Sequence, residues 1–172
     1  MNLKSSVRLA LPLLLLATIP CWSQTSHLSD LLAKLTLTLR NKTAVPLRLP
    51  THIPNLDNER ELYAILISSD TIGYEVVLGA TPDCEGQHVC SYGFLLGTKR
   101  PVSDFVDSER NGVPVSLHKG IKGVFYDTVC GAYCSESLLV WREGEYNYIV
   151  GLKAERESTL ITAVNSAIDS PW

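Results

Sequence analysis

The sequence predicts an α+β domain: an antiparallel β-sheet with an N-terminal and a C-terminal helix packed on it. Two observations carry this expectation. Amphipathic stretches with apolar residues at helical spacing stand at either end, and between them short β-branched and aromatic runs alternate with turn signals. No internal repeat or low-complexity tract interrupts the order.

Ahead of the first helix, Lys4 and Arg8 precede an apolar run from Leu9 to Ile19, broken only by Pro12 and Thr18. This is the charged and then apolar pattern of a secretory signal. The run is much shorter than the roughly 20 residues a membrane-spanning helix requires. Cleavage is expected after Ser23, with Cys21 and Ser23 as the small residues at positions minus three and minus one. The alternative is lipid attachment at Cys21, where Pro20 occupies the place usually held by Gly or Ala. Residues 1–23 are therefore read as signal, 24–44 as a helix and linker, and 45–172 as the α+β domain, forming one unit with that helix. The expected location is periplasmic or secreted, with no transmembrane anchor after cleavage.

Leu28, Leu31, Leu32, Leu35 and Leu39 share one helical face, which predicts an amphipathic helix over 27–40. Pro46, Pro50 and Pro54 then remove three backbone donors and forbid a helix interior. The alternating Val45, Leu47 and Leu49 suggest an edge strand, where missing donors are tolerated. Strands are expected at 62–68, 73–79, 92–96, 115–117, 124–128, 137–142 and 145–152, with 98–114 as a polar connection. The last two form a hairpin around Glu143 and Gly144, because Gly144 accepts the positive φ of a tight turn. Leu160, Ile161, Val164, Ala167 and Ile168 mark the closing helix, with Pro171 beyond its end.

The full chain carries 15 basic and 18 acidic residues, a net charge of −3. Losing Lys4 and Arg8 with the signal lowers this to −5. Nucleic-acid binding needs a basic face to neutralise phosphates, and no basic cluster is present, so that function class is excluded. Cleavage also removes Cys21 and leaves an even set: Cys84, Cys90, Cys130 and Cys134. In an exported chain these are expected to form two disulfides. Of three connectivities, the local pairs Cys84–Cys90 and Cys130–Cys134 are favoured, since each encloses a turn-forming glycine. The crossed pairings would instead staple two distant hairpins. Their spacings, C-x5-C and C-x3-C, are not the two-residue knuckles of structural zinc sites, nor the C-x-x-C of thiol oxidoreductases.

No nucleophile elbow, zinc-protease motif, P-loop or dinucleotide fingerprint occurs. No catalytic, cofactor-binding or metal-ligating residue is assigned, and no cofactor is expected. The candidate surface site is Asp83, Glu85 and His88 on the first cysteine loop, with Asp127, Tyr133 and Glu136 around the second. A disulfide would hold such residues rigid on the surface, and rigid loops often carry function. Aromatic residues in the strands, Trp141 and Tyr148 among them, are expected in the core or in cross-strand pairs, with an apolar ligand groove as the alternative.

The segments V-P-L-R-L-P-T-H-I-P at 45–54, G-I-K-G-V-F-Y at 120–126 and L-L-V-W-R-E-G-E-Y-N-Y-I-V-G-L at 138–152, followed by a helix containing A-V-N-S-A-I, resemble exported bacterial domains of unknown function. The resemblance spans roughly residues 45–168. It implies a proline entry into a sheet, a tryptophan hairpin and a final helix, and it supplies no catalytic residue. The closing hairpin and helix more distantly resemble curved-sheet envelope proteins related to outer-membrane lipoprotein carriers. The paired cysteine loops depart from both patterns. The leading expectation is an exported non-enzymatic module binding a protein or apolar ligand of the cell envelope. The alternatives are a small envelope hydrolase using acidic and histidine residues of the cysteine loops, and a purely structural envelope component.

Overall fold

A computed structural model of the chain describes residues 27–56, 61–170 and 172. The expected signal and Cys21 lie outside the described residues. Helix α1 (His27–Arg40) comes first, followed by strands β1 (Tyr63–Asp70), β2 (Gly73–Gly79), β3 (Ser91–Thr98), β4 (Gly112–Ser116), β5 (Lys122–Tyr126), β6 (Glu136–Glu143) and β7 (Tyr146–Lys153), and helix α2 (Glu157–Asp169). The strands form one antiparallel sheet in the order β1-β2-β3-β7-β6-β5-β4. Two meanders thus meet where β3 pairs with β7. The β3–β4 connection must travel from the middle of the sheet to its far edge.

One face of the sheet lies under both helices. Leu28, Leu32 and Leu39 of α1 and Leu160, Val164 and Ile168 of α2 share a core with Val76, Leu95, Leu139, Trp141, Tyr148 and Val150 of the sheet. Alternate positions in the strands face this core, as the period of two requires. Asp30 in the first turn of α1 and Arg40 in its last complement the helix dipole, and Leu39 O accepts the N–H groups of Lys42 and Thr43 where the helix ends.

The opposite face is covered as well, which corrects the expectation that 98–114 is only a polar connection. Its final residues, from Gly112, belong to β4, and its middle folds back as a single 3-10 turn at Val102–Asp104. Val102, Phe105 and Val106 pack there on Leu96, Leu138, Val140 and Ile149. Both faces of β6 and β7 are therefore buried, and their sequences read as unbroken apolar runs.

The proline segment 45–54 is extended but is not a strand of the sheet, a second correction. Val45, Leu47, Leu49 and Ile53 do alternate into the core. However, the prolines leave too few donors for a ladder, and side chains supply the fastening instead. Arg48 N–H donates to Tyr74 Oη (3.0 Å), Tyr148 Oη donates to Pro46 O (3.0 Å), and Trp172 Nε1 donates to Leu49 O (2.9 Å). Ser166 Oγ accepts from His52 N–H and donates to His52 O.

Arg48 also forms a two-pronged ion pair with Glu143, Nε to Oε1 and Nη2 to Oε2, both at 2.8 Å. Trp141 Nε1 donates to the same Oε1 at 3.1 Å and stacks on Tyr148. Arg48 holds the Glu143 carboxyl below its usual range. Burial pushes the Tyr74 and Tyr148 hydroxyls above theirs, so both stay neutral donors or acceptors.

Candidate functional site

The cysteines pair locally, Cys84 with Cys90 and Cys130 with Cys134. The first loop joins β2 to β3 and the second joins β5 to β6. Because β3 lies beside β7 and β7 beside β6, both loops emerge from the same end of the sheet.

Each loop is rigid in its own way. Cys84 is buried against Gly79, where an added Cβ would come within 2.6 Å of the Cys84 Cβ. Ala80 N–H donates to Cys90 O at the base of this loop, and Gln87 O accepts from both Cys90 and Ser91. The second loop is a short stub in which Cys130 and Cys134 bridge, Ser135 N–H donates to Val129 O, and Ser135 Oγ accepts from Val129 N–H. Arg110, from the β3–β4 connection, fastens the stub's base by donating from Nη2 to the carbonyls of Tyr126, Asp127 and Glu136.

The two loops are joined directly. His88 Nε2 lies 2.8 Å from Cys134 O, and a carbonyl can only accept, so this nitrogen carries the proton. The His88 ring meets Tyr133 at 5.2 Å between centroids, and Lys153 Nζ donates to His88 O. His88 thus works as a hinge pin between loops.

The other candidate residues behave differently. Asp83 and Glu85 are exposed and make no hydrogen bond or ion pair with any described residue. Asp127 is exposed, with Oδ1 accepting from Thr128 N–H, and Glu136 contributes its carbonyl to Arg110. None of these acids is bonded to His88, so the acid–histidine contact that a hydrolase of the cysteine loops would need is not formed there; a His118–Asp169 contact lies instead at the end of α2. No group of three or more His, Cys, Asp or Glu side chains there could hold a metal ion.

What the loops do present is apolar surface. Val89 is 85% exposed, Tyr133 75% and Val129 59%, three of the most exposed large hydrophobic residues described. A cavity of about 560 Å³ adjoins the second loop, lined by Phe105, Asp107, Glu109, Arg110, Asp127 and Val129 among others. Sequence reasoning missed Arg110, which sits in a polar stretch with no motif around it, and passed over Val89 and Val129. Their signal was available, since a large apolar residue inside the five-residue Cys84–Cys90 loop, or directly before Cys130, stands beside a short solvated disulfide loop with no core to enter.

The arrangement offers no activated nucleophile; it offers a covalently fixed apolar surface with acids at its rim. No helix among the described residues is long and apolar enough to cross a membrane. The chain matches no family model, no curated protein and no solved structure.

Proposed function

We propose that the chain is an exported, non-enzymatic module that binds a protein partner through its two disulfide-clamped loops. The observation that carries this reading is the exposure of Val89, Val129 and Tyr133 on loops held by covalent bonds and by the His88–Cys134 contact. Exposed apolar side chains grouped on one surface mark interaction sites, because covering them removes apolar area from water. Loops already rigid lose little entropy on binding, which favours affinity. The signal-like opening residues and the two disulfides support export.

A protein partner is favoured over a buried apolar ligand by the packing. The middle of the sheet is covered on both faces, by the helices on one side and by Val102, Phe105 and Val106 on the other. A buried acyl chain between those layers would have to displace packed side chains.

The test is affinity capture from the native envelope fraction, comparing the wild-type chain with Val89→Ala/Tyr133→Ala. Truncating a central aromatic anchor typically weakens an interface by about tenfold or more. A specific envelope protein should be recovered with the wild type and lost with the variant. Equal recovery by both chains overturns the reading.

A further inference from the structure

We infer that Cys130 is a site of thiol–disulfide exchange, attacked by the thiolate of a dithiol, and that reduction there releases the surface the two loops share. The effect on binding rests on the reading of that surface as a docking site; the exchange itself does not. The two disulfides stand in different surroundings. Cys84 is 1% exposed and packed against Gly79, and a Cβ added at Gly86 would touch Val77, so the first loop lies folded on β2. Cys130 is exposed and Cys134 half-buried, and the intervening Gly131, Ala132 and Tyr133 are all exposed. No described atom lies within 4 Å of where a Cβ on Gly131 would stand. Exchange begins with a thiolate striking one sulfur, and its rate follows access to that sulfur. Attack on Cys130 Sγ forms a mixed disulfide and breaks the bond to Cys134, whose sulfur leaves with the electron pair and takes a proton from water. The second thiolate of the dithiol then attacks the dithiol's own sulfur in the mixed disulfide and releases Cys130. The dithiol ends as a disulfide, and the chain has gained two electrons.

The hydrogen bonds of the second loop keep this break local. Its base is fastened without the disulfide: Ser135 N–H donates to Val129 O, Val129 N–H to Ser135 Oγ, and Thr128 Oγ1 to Ser135 O, while Arg110 holds the carbonyls of Tyr126, Asp127 and Glu136. A bridge across so few residues removes little chain entropy, so its loss leaves the sheet folded. Above that base the tip is closed by the disulfide and by Gly131 N–H donating to Tyr133 O. The same tip carries the Tyr133 ring and the Cys134 carbonyl that accepts from His88. Opening it withdraws the acceptor from His88 and carries Tyr133 away from the first loop. The base stays, and the joined surface is lost.

The experiment treats the full chain, with both disulfides formed, with limiting dithiothreitol, traps freed thiols with N-ethylmaleimide and locates them by peptide mass spectrometry. Label should enter Cys130 and Cys134 about tenfold faster than Cys84 and Cys90, with the circular dichroism of the fold unchanged. Glutathione, a monothiol that stops at the mixed disulfide, should be found on Cys130. Equal labelling of the two pairs, or Cys84 and Cys90 first, would overturn the site, and glutathione on Cys134 would overturn Cys130 as the point of attack. Loss of the folded signal along with the second loop's bridge would overturn the local break. In capture from the native envelope fraction, both the selectively reduced and alkylated chain and Cys130→Ser/Cys134→Ser should lose the partner that the oxidised wild type recovers. Equal recovery would overturn the release of the surface and leave the docking site standing. No partner recovered by the oxidised wild type would count against the docking site, and the labelling would still decide the exchange.

Discussion

Glutamine at position 143 would keep the shape of the side chain and remove the charge that Arg48 engages. Both contacts of the pair are 2.8 Å and both side chains are 24% exposed. The pair therefore sits between an exposed ion pair, worth about 0.2–1 kcal/mol, and a buried one, whose disruption costs about 3–5 kcal/mol. An intermediate loss of about 2 kcal/mol is expected for Glu143→Gln. In a domain of this size, where about 1 kcal/mol moves the midpoint by about 2–4 °C, the loss corresponds to a Tm lower by about 4–8 °C at pH 7.

The pH dependence has a definite sign. The folded carboxyl titrates below the ordinary value of 4.5, so its contribution is complete above that value and disappears as pH falls through the lower folded value. Thermal unfolding followed by circular dichroism should show the gap between wild type and variant closing below about pH 4.5. A double-mutant cycle with Arg48→Met should return most of the loss as coupling. Equal Tm values at pH 7, or a gap that keeps its size in acid, would refute the reasoning.

Further outcomes follow from packing and charge. Gly97 and Gly151 lie opposite Tyr74 and Phe94 across strand pairs, and a Cβ at either would fall 2.4 Å from a ring carbon, so Gly97→Ala and Gly151→Ala should each cost about 1–3 kcal/mol in denaturant titrations. Glu75 has its carboxyl pushed up by burial, and Glu75→Gln should therefore raise Tm at neutral pH, with the gain lost as pH falls through the raised folded value to the ordinary carboxylate one. Replacing either cysteine pair by alanine should cost about 2 kcal/mol through loop closure. The Cys84–Cys90 variant should be the less stable of the two in thermal unfolding, because Cys84 also leaves a buried position.

Much of the sheet was legible because it rests on local patterns. Residues 73–79 form β2 where alternation and turn signals place it, and the strands of the closing hairpin lie within one residue of their expected bounds, with the turn at Gly144 and Glu145 because Glu143 pairs with Tyr146. Gly144 has φ of 61°, the conformation for which glycine was expected there. The second apolar layer was harder to see. Its signal was the spacing of three and four among Val102, Phe105 and Val106, together with continuous apolar runs in β6 and β7 that leave no polar face for water. The edge-strand expectation for 45–54 followed its alternation correctly and failed on its partners, since side chains distant in sequence took over the bonding.

The candidate site was legible in parts only. Loop-forming spacing and glycines pointed to the local disulfide pairs. Convergence of the loops depends on β3 lying beside β7, a long-range pairing that no local pattern encodes. His88 stood out as a titratable residue among acids, yet its ring meets a carbonyl, which any residue could have provided. Pattern reading identifies residue types, and a backbone partner has none.

The fastening of the proline segment also sets an order of events. Leu49 is held by Trp172, Pro46 by Tyr148 and Arg48 by Glu143, across separations of 123, 102 and 95 residues. A ribosome delivers residues 45–54 long before their fasteners exist, so this layer closes late, after both meanders have joined. Contacts so distant along the chain slow folding, because large loops must close before any reward is gained. Until residue 172 has been made, the early apolar residues Val45, Leu47 and Leu49 have no finished surface to occupy. A chain built this way completes this layer only once residues 143–172 are present to fasten it.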